Sequence, residues 1–192
     1  VVDSDDLPLN ISRETVQSNR ILRQIERSLT GRVLSALQDL AEAQPDEYAT
    51  FWQNFGPFIK QGIVAHPFNQ EDLLPLLRFH SARSGDALLS LETYVEQMDE
   101  EQPAIYYVIG SDLASIAASP HLDYFKEHDL DVLYLTDPLD GLMMQSLREF
   151  DDTPLQNVDD PELELPDAEE AEEQEEALDA KEFGTLIGRF KD

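Results

Sequence analysis

A chain of 192 residues with 41 acidic and 13 basic side chains carries a formal charge of −28, and 41% of it is hydrophobic. That apolar fraction supplies a core for one ordinary domain or two small ones, while the charge repels phosphate backbones and anionic lipid, arguing against a nucleic-acid or membrane partner. The absence of cysteine removes disulfides, thiolate zinc sites and thiol nucleophiles and fits a reducing, cytoplasmic setting, and neither a membrane span nor a secretory signal is expected.

Behind an opening with Asp3, Asp5, Asp6 and Pro8, the pattern predicts one long amphipathic helix from about Ser12 to Ala43. Leu22, Ile25, Leu29, Val33, Leu37 and Leu40 recur at three and four, Ser12 suits the N-cap, and Glu14 meets the positive end of the helix dipole. Five of the thirteen bases, Arg13, Arg20, Arg23, Arg27 and Arg32, lie along this helix off the apolar stripe, on its solvent or partner face. Gln44-Pro45-Asp46 breaks it. A second helix through Tyr48, Phe51, Trp52 and Phe55 is expected to stop at Gly56-Pro57, and a third, capped by Asn69, to carry Leu73, Leu74, Leu76 and Leu77. The aromatic cluster reads as core.

Ala104 to Ile109 (AIYYVI) is a β-rich run closed by Gly110, followed by a helix from Asp112 to Ala118 with Ser111 or Asp112 as cap. A second apolar run, DVLYL, follows a helix around Phe125, and TDPLDGLMMQSLREF reads as a further turn and helix. Strand and helix alternating at this spacing predict a small three-layer α/β unit with a mostly parallel sheet, so the chain is α/β, or α+β taken whole. From Asp159 to Asp179 there are twelve acids and no base, either a solvated linker or a docking strip for a basic partner. KEFGTLIGRFKD then places Phe183, Leu186, Ile187 and Phe190 on one side, as the first helix of a further domain.

Few motifs point to self-contained catalysis. YYVIGSD has one glycine before a helix, short of a dinucleotide fingerprint, and there is no nucleophile elbow or Walker-type loop. Asp137 stands just past a strand end, where a receiver-type phosphoacceptor would be, without the acidic pair and lysine such a site needs. His66, His80, His121 and His128 lack metal-ligand spacing, so no metal is expected. Arg13 and Gln17, four residues apart, share one helix face near its positive end. There a permanent cation with forked donors and an amide suit a terminal phosphate, or Arg13 pairs with Asp3, Asp5 or Asp6.

The string SDDLPLNISRETVQSNRI resembles the catalytic-loop signature in the middle segment of the heat-shock protein 90 family of molecular chaperones, in its bacterial HtpG-like branch. The likeness continues through LLPLLRFHSARSGDALLSLETYVEQMDEEQPAIYYVIG and SPHLDYFKEHDLDVLYLTDPLDGLMMQSLREFDDTPLQNV. It implies a part of a larger ATP-dependent dimeric chaperone. Residues 1–11 would be the catalytic loop, 12–80 a helical module, 81–158 the small α/β subdomain, 159–182 an acidic linker and 183–192 the start of a C-terminal domain. By the same resemblance Arg13 is the catalytic arginine and Gln17 its companion, Asn10 and Glu14 shape the loop, and ATP with Mg sits mainly in an N-terminal domain outside this chain. This stretch alone would then not be an enzyme and would hold no cofactor. Its partners would be client proteins, its own N-terminal ATPase domain and, through the C-terminal domain, a second copy. Trp52, Met143 and Met144 would serve either the core or adaptable client contacts. Thr15-Val16 departs from the larger aliphatics common in the motif, and Pro67 and Pro75 put the third helix in question. From the residues alone, a free-standing acidic adaptor is the rival reading.

Overall fold

The computed structural model describes residues 20–65, 70–99, 102–163 and 165. Helix α1, Arg20–Ala43, is the described part of the helix expected from Ser12. One residue, Gln44, separates it from α2, Pro45–Ala65. Pro45 has no N–H with which to continue α1, but its fixed φ suits a first helical position, where that N–H would be unpaired anyway.

Contrary to the expected stop, α2 runs through Gly56-Pro57, with Pro57 inside it. Pro57 leaves the carbonyl of Gln53 without an intrahelical donor, yet both residues are exposed, so water can supply the bond. Burial of Lys60 and Ile63 beyond the proline holds the last turns in place. Gly56 is required by close approach, since a Cβ there would lie 2.9 Å from the Trp52 indole.

The expected third helix is a single 3-10 turn, Leu74–Leu76, and its proposed cap Asn69 and Pro67 lie outside the described residues. Pro75 disfavours helical geometry at Leu74, and Leu77 turns extended with ψ 142°, so that Leu76 and Leu77 both enter the core. A short helix that the hydrophobic pattern does not announce, α3, Leu91–Gln97, starts where Ser90 accepts a hydrogen bond from the Thr93 N–H at 3.0 Å.

The remaining elements are β1 (His80–Ser81), β2 (Ile105–Ile109), α4 (Leu113–Ala117), α5 (Asp123–Glu127), β3 (Val132–Leu135), α6 (Asp140–Ser146), β4 (Glu149–Phe150) and β5 (Thr153–Asn157). Of these, β2, α4, α5, β3 and α6 alternate as expected, whereas β1, β4 and β5 were not expected, and the last helix stops at Ser146 so that Glu149 and Phe150 form a strand. Asp112 caps α4 by accepting from the Ser115 N–H at 2.9 Å. The five strands lie in the order β1-β3-β2-β5-β4, parallel in the centre and antiparallel at both edges. β4 and β5 join through Asp151 and Asp152 at φ 49° and 60°, the left-handed pair that a two-residue hairpin needs to match strand twist.

Alternation along the central strands splits the core in two. Ile105, Leu133 and Leu135 pack with Tyr48, Trp52 and Ile63 of α2, Leu91 and Tyr94 of α3, and Met143 of α6. Tyr106, Val108 and Val132 face the other way, onto Ile116, Leu122 and Phe125 of the α4–α5 side. The result is three layers, and one of the two cores is shared by the long helices and the sheet.

Candidate functional site

Asn10, Arg13, Glu14 and Gln17 all precede Arg20 and lie outside the described residues. Within them, the polar constellation with the most defined geometry sits at the carboxyl end of β3, where sheets with a parallel centre place ligands. The chain leaves β3 through Thr136, Asp137, Pro138 and Leu139 into α6. Asp137 Oδ1 accepts from the Leu139 N–H at 2.8 Å, and Asp140 Oδ2 accepts from the Asp137 N–H at 2.9 Å, so the two carboxylates knit the turn together.

Into this turn α2 sends Lys60. Its Nζ lies 2.6 Å from Asp140 Oδ1 and 4.0 Å from Asp137 Oδ2, and it stands over the rings of Trp52 and Phe79 at 5.7 and 5.8 Å. Lys60 and Asp140 are 6% and 0% exposed, so both charges are withdrawn from water. Asp140 Oδ1 takes no well-angled hydrogen bond, and the close ammonium is what balances it. Burial raises the Asp140 carboxyl above the usual carboxylate range, opposed by the attraction of Lys60, the smaller of the two effects.

A cleft of about 620 Å³ opens here, lined among others by Trp52, Lys60, Arg78, His80, Tyr134 and Asp137. The Arg78 guanidinium stacks over the Tyr48 ring at 4.7 Å and donates to the carbonyls of Pro75 and Leu77, while the Tyr48 hydroxyl donates to the Leu76 carbonyl at 2.6 Å. Burial pushes the Tyr48 phenol up to about 12 and lowers the Arg78 guanidinium. Chemically the arrangement is a latch. It joins α2 to the β3–α6 turn through paired charge, and Asp137 is committed to that turn rather than free to accept a phosphoryl group.

The one sequence signal for Lys60 was its place on the apolar face of α2, in line with Trp52, Gly56 and Ile63, where a cation needs a buried partner. Trp52, Met143 and Met144 belong to the core, at 8%, 0% and 7% exposure, which removes them as client contacts. On the same two helices, the large apolar side chains that are exposed are Phe55 and Phe58 of α2 and Leu142 of α6. His121 pairs with Asp159 at 2.7 Å and His128 stacks on Tyr124, and no group of three or more metal-ligating side chains occurs among the described residues. Among those residues, too, no helix is long and apolar enough to cross a membrane.

The family model described as Hsp90 protein matches residues 1–192. The chain belongs to the Hsp90 family. It is 41% identical to the chaperone protein HtpG of Roseobacter denitrificans and 41% identical to that of Mycobacterium avium, each across 100% of this chain. Those alignments cover 31% and 30% of the two relatives, so the chain spans about a third of their length. Among solved structures, the middle domain of a Plasmodium falciparum heat shock protein superposes with a TM-score of 0.69 at 30% identity, covering 74% of this chain and 60% of that one. Fold and family thus agree: the α/β architecture is that of an Hsp90 middle domain.

Proposed function

We propose that this Hsp90-family chain is the later part of the middle segment of an ATP-dependent, cytoplasmic chaperone. In it Arg13 is presented to the γ-phosphate of an ATP, with its Mg, held by an N-terminal domain outside this chain. Gln17, four residues further along the sequence, orients water or a phosphate oxygen, while Asn10 and Glu14 shape the loop. The acidic stretch 159–182 leads toward a C-terminal dimerisation domain beginning near residue 183. The observation that supports this reading is the loop string itself, NISRETVQ, inside a family match that spans the whole chain.

The chemistry asked of Arg13 is modest and specific. A guanidinium stays charged at any working pH and offers forked donors, so it can neutralise charge spreading over the equatorial oxygens as the γ-phosphoryl leaves. Arginines supplied in this way are worth about a thousand-fold or more in rate in other phosphoryl-transfer systems. Client contact falls to the exposed apolar side chains, Phe55 and Phe58 in particular.

Single-turnover hydrolysis and ATP affinity in the full-length protein, wild type against Arg13→Ala and Arg13→Lys, test the reading. Hydrolysis should fall at least a hundred-fold in Arg13→Ala with affinity retained, on the order of the loss seen when one transition-state donor is removed. Unchanged hydrolysis would overturn it and leave Arg13 as a partner of the neighbouring acids.

A further inference from the structure

We propose that Lys60 exchanges between two carboxylates of one turn, Asp140 and Asp137, so that the last turns of α2 shift against the start of α6. Each acid spends one oxygen on the turn and offers the other to the lysine. Asp140 Oδ2 accepts from the Asp137 N–H at 2.9 Å and Asp137 Oδ1 accepts from the Leu139 N–H at 2.8 Å. That leaves Asp140 Oδ1 at 2.6 Å and Asp137 Oδ2 at 4.0 Å from the ammonium. The second acceptor is thus held in place by the same hydrogen bonds that hold the first.

Stability alone does not account for the pair. Replacing a buried ion pair with well-packed apolar side chains is often neutral or stabilising, and the best-attested use of such a pair is to set a register or to switch. Lysine suits a switch, because its ammonium is a compact charge with three donors on a flexible stem. The move is short: the ammonium has only to close the 4.0 Å gap, and the carboxylate it leaves keeps that charge nearby. The two positions differ in hydration, since the Asp140 side chain is 1% exposed and that of Asp137 is 21% exposed. One position is dry and the other reaches water.

Helix α2 has both a joint and room for the shift. Pro57 stands inside the helix just before Lys60 and interrupts the hydrogen-bond ladder at the exposed Gln53 carbonyl, the usual place for a helix to bend. The cleft of about 620 Å³ is lined by Gly56, Pro57 and Lys60 on one side and by Thr136, Asp137 and Pro138 on the other, so side chains do not fill the gap between helix and turn. Small sliding of packed helices is one of the ways in which folds switch. Phe55 and Phe58 flank Pro57 with ring centroids 6.3 Å apart, so a bend at the proline changes the spacing of this exposed pair. That consequence for clients rests on the reading proposed above, whereas the exchange itself does not.

Trp52 is the sole tryptophan and its ring lies 5.7 Å from the ammonium, so a single indole N–H signal reports the position of Lys60. In the isotope-enriched 192-residue protein, the indole nitrogen should show relaxation dispersion on the microsecond-to-millisecond scale, where a minor state of a packed helix becomes visible. Asp137→Asn removes the second charged acceptor while its amide oxygen still accepts from the Leu139 N–H, and it should abolish the dispersion. Lys60→Met/Asp140→Asn removes the moving charge together with its first acceptor and should abolish it too, with an unchanged circular dichroism spectrum. A flat profile in the wild type overturns the exchange, as does dispersion that persists in either variant. No client is present in the measurement, so that failure leaves the reading of Phe55 and Phe58 standing.

Discussion

Replacing Lys60 with methionine isolates the charge of the latch, because methionine has a similar length and can keep the contacts with Trp52 and Phe79. The carboxylate of Asp140, 0% exposed, would then lose the ammonium now 2.6 Å away and have no counter-charge. Removing one member of a buried pair costs about 3–5 kcal/mol, which for a domain of this size lowers the melting temperature by roughly 6–20 °C. The double variant Lys60→Met/Asp140→Asn removes the stranded charge while the amide oxygen still accepts from the Asp137 N–H, so it should recover at least about 2 kcal/mol of that loss. Trp52 is the sole tryptophan and lines the same cleft, so its fluorescence in a urea titration reports the site and the global transition together. The pH dependence follows with its sign. The Asp140 carboxyl is already raised in the folded state and would rise further without Lys60, so its contribution is full below the unfolded value near 3.9 and lost as pH climbs through the folded one. Relative to wild type, Lys60→Met should therefore regain stability as pH falls from 7 toward 4. A Lys60→Met cost below about 0.5 kcal/mol, or a double variant no more stable than the single one, would refute the latch.

Tyr48→Phe should cost about 1–3 kcal/mol at pH 8, since it strands the Leu76 carbonyl that now accepts from the phenol. Because burial raises that phenol to about 12, its contribution is full below pH 10 and lost as pH rises toward 12, so the gap in urea midpoint between Tyr48→Phe and wild type should narrow at pH 11. Gly56→Ala forces a methyl to 2.9 Å from the Trp52 ring and should cost about 1–3 kcal/mol, despite alanine's better helix propensity. A shift in Trp52 emission should accompany that loss, and an unperturbed spectrum with unchanged stability would contradict the close approach.

Much of the fold was legible because its signals are local. AIYYVI and DVLYL announce the parallel centre by composition, Asp112 caps the helix after the first of them, and Pro45 separates the two long helices wherever the rest of the chain lies. Local rules also misled in two places. At Pro57 they predicted an end, but the cost of a proline falls on one exposed carbonyl, and burial of Lys60 and Ile63 outweighs it. At Pro75 they were too weak, because four leucines in five residues look helical until Leu76 and Leu77 both have to enter the core.

The sequence by itself determined the family, the acidity and the loop string around Arg13, because these are properties of residue identity and order and do not depend on how distant segments meet. The fold, and not residue order, made Lys60 a buried counter-ion to Asp140, eighty positions away, put Trp52 and both methionines of α6 in the core, and left Phe55 and Phe58 exposed. The reason is physical: a helical stripe specifies which side chains share a face, but whether that face is covered depends on which other elements the sheet brings against it.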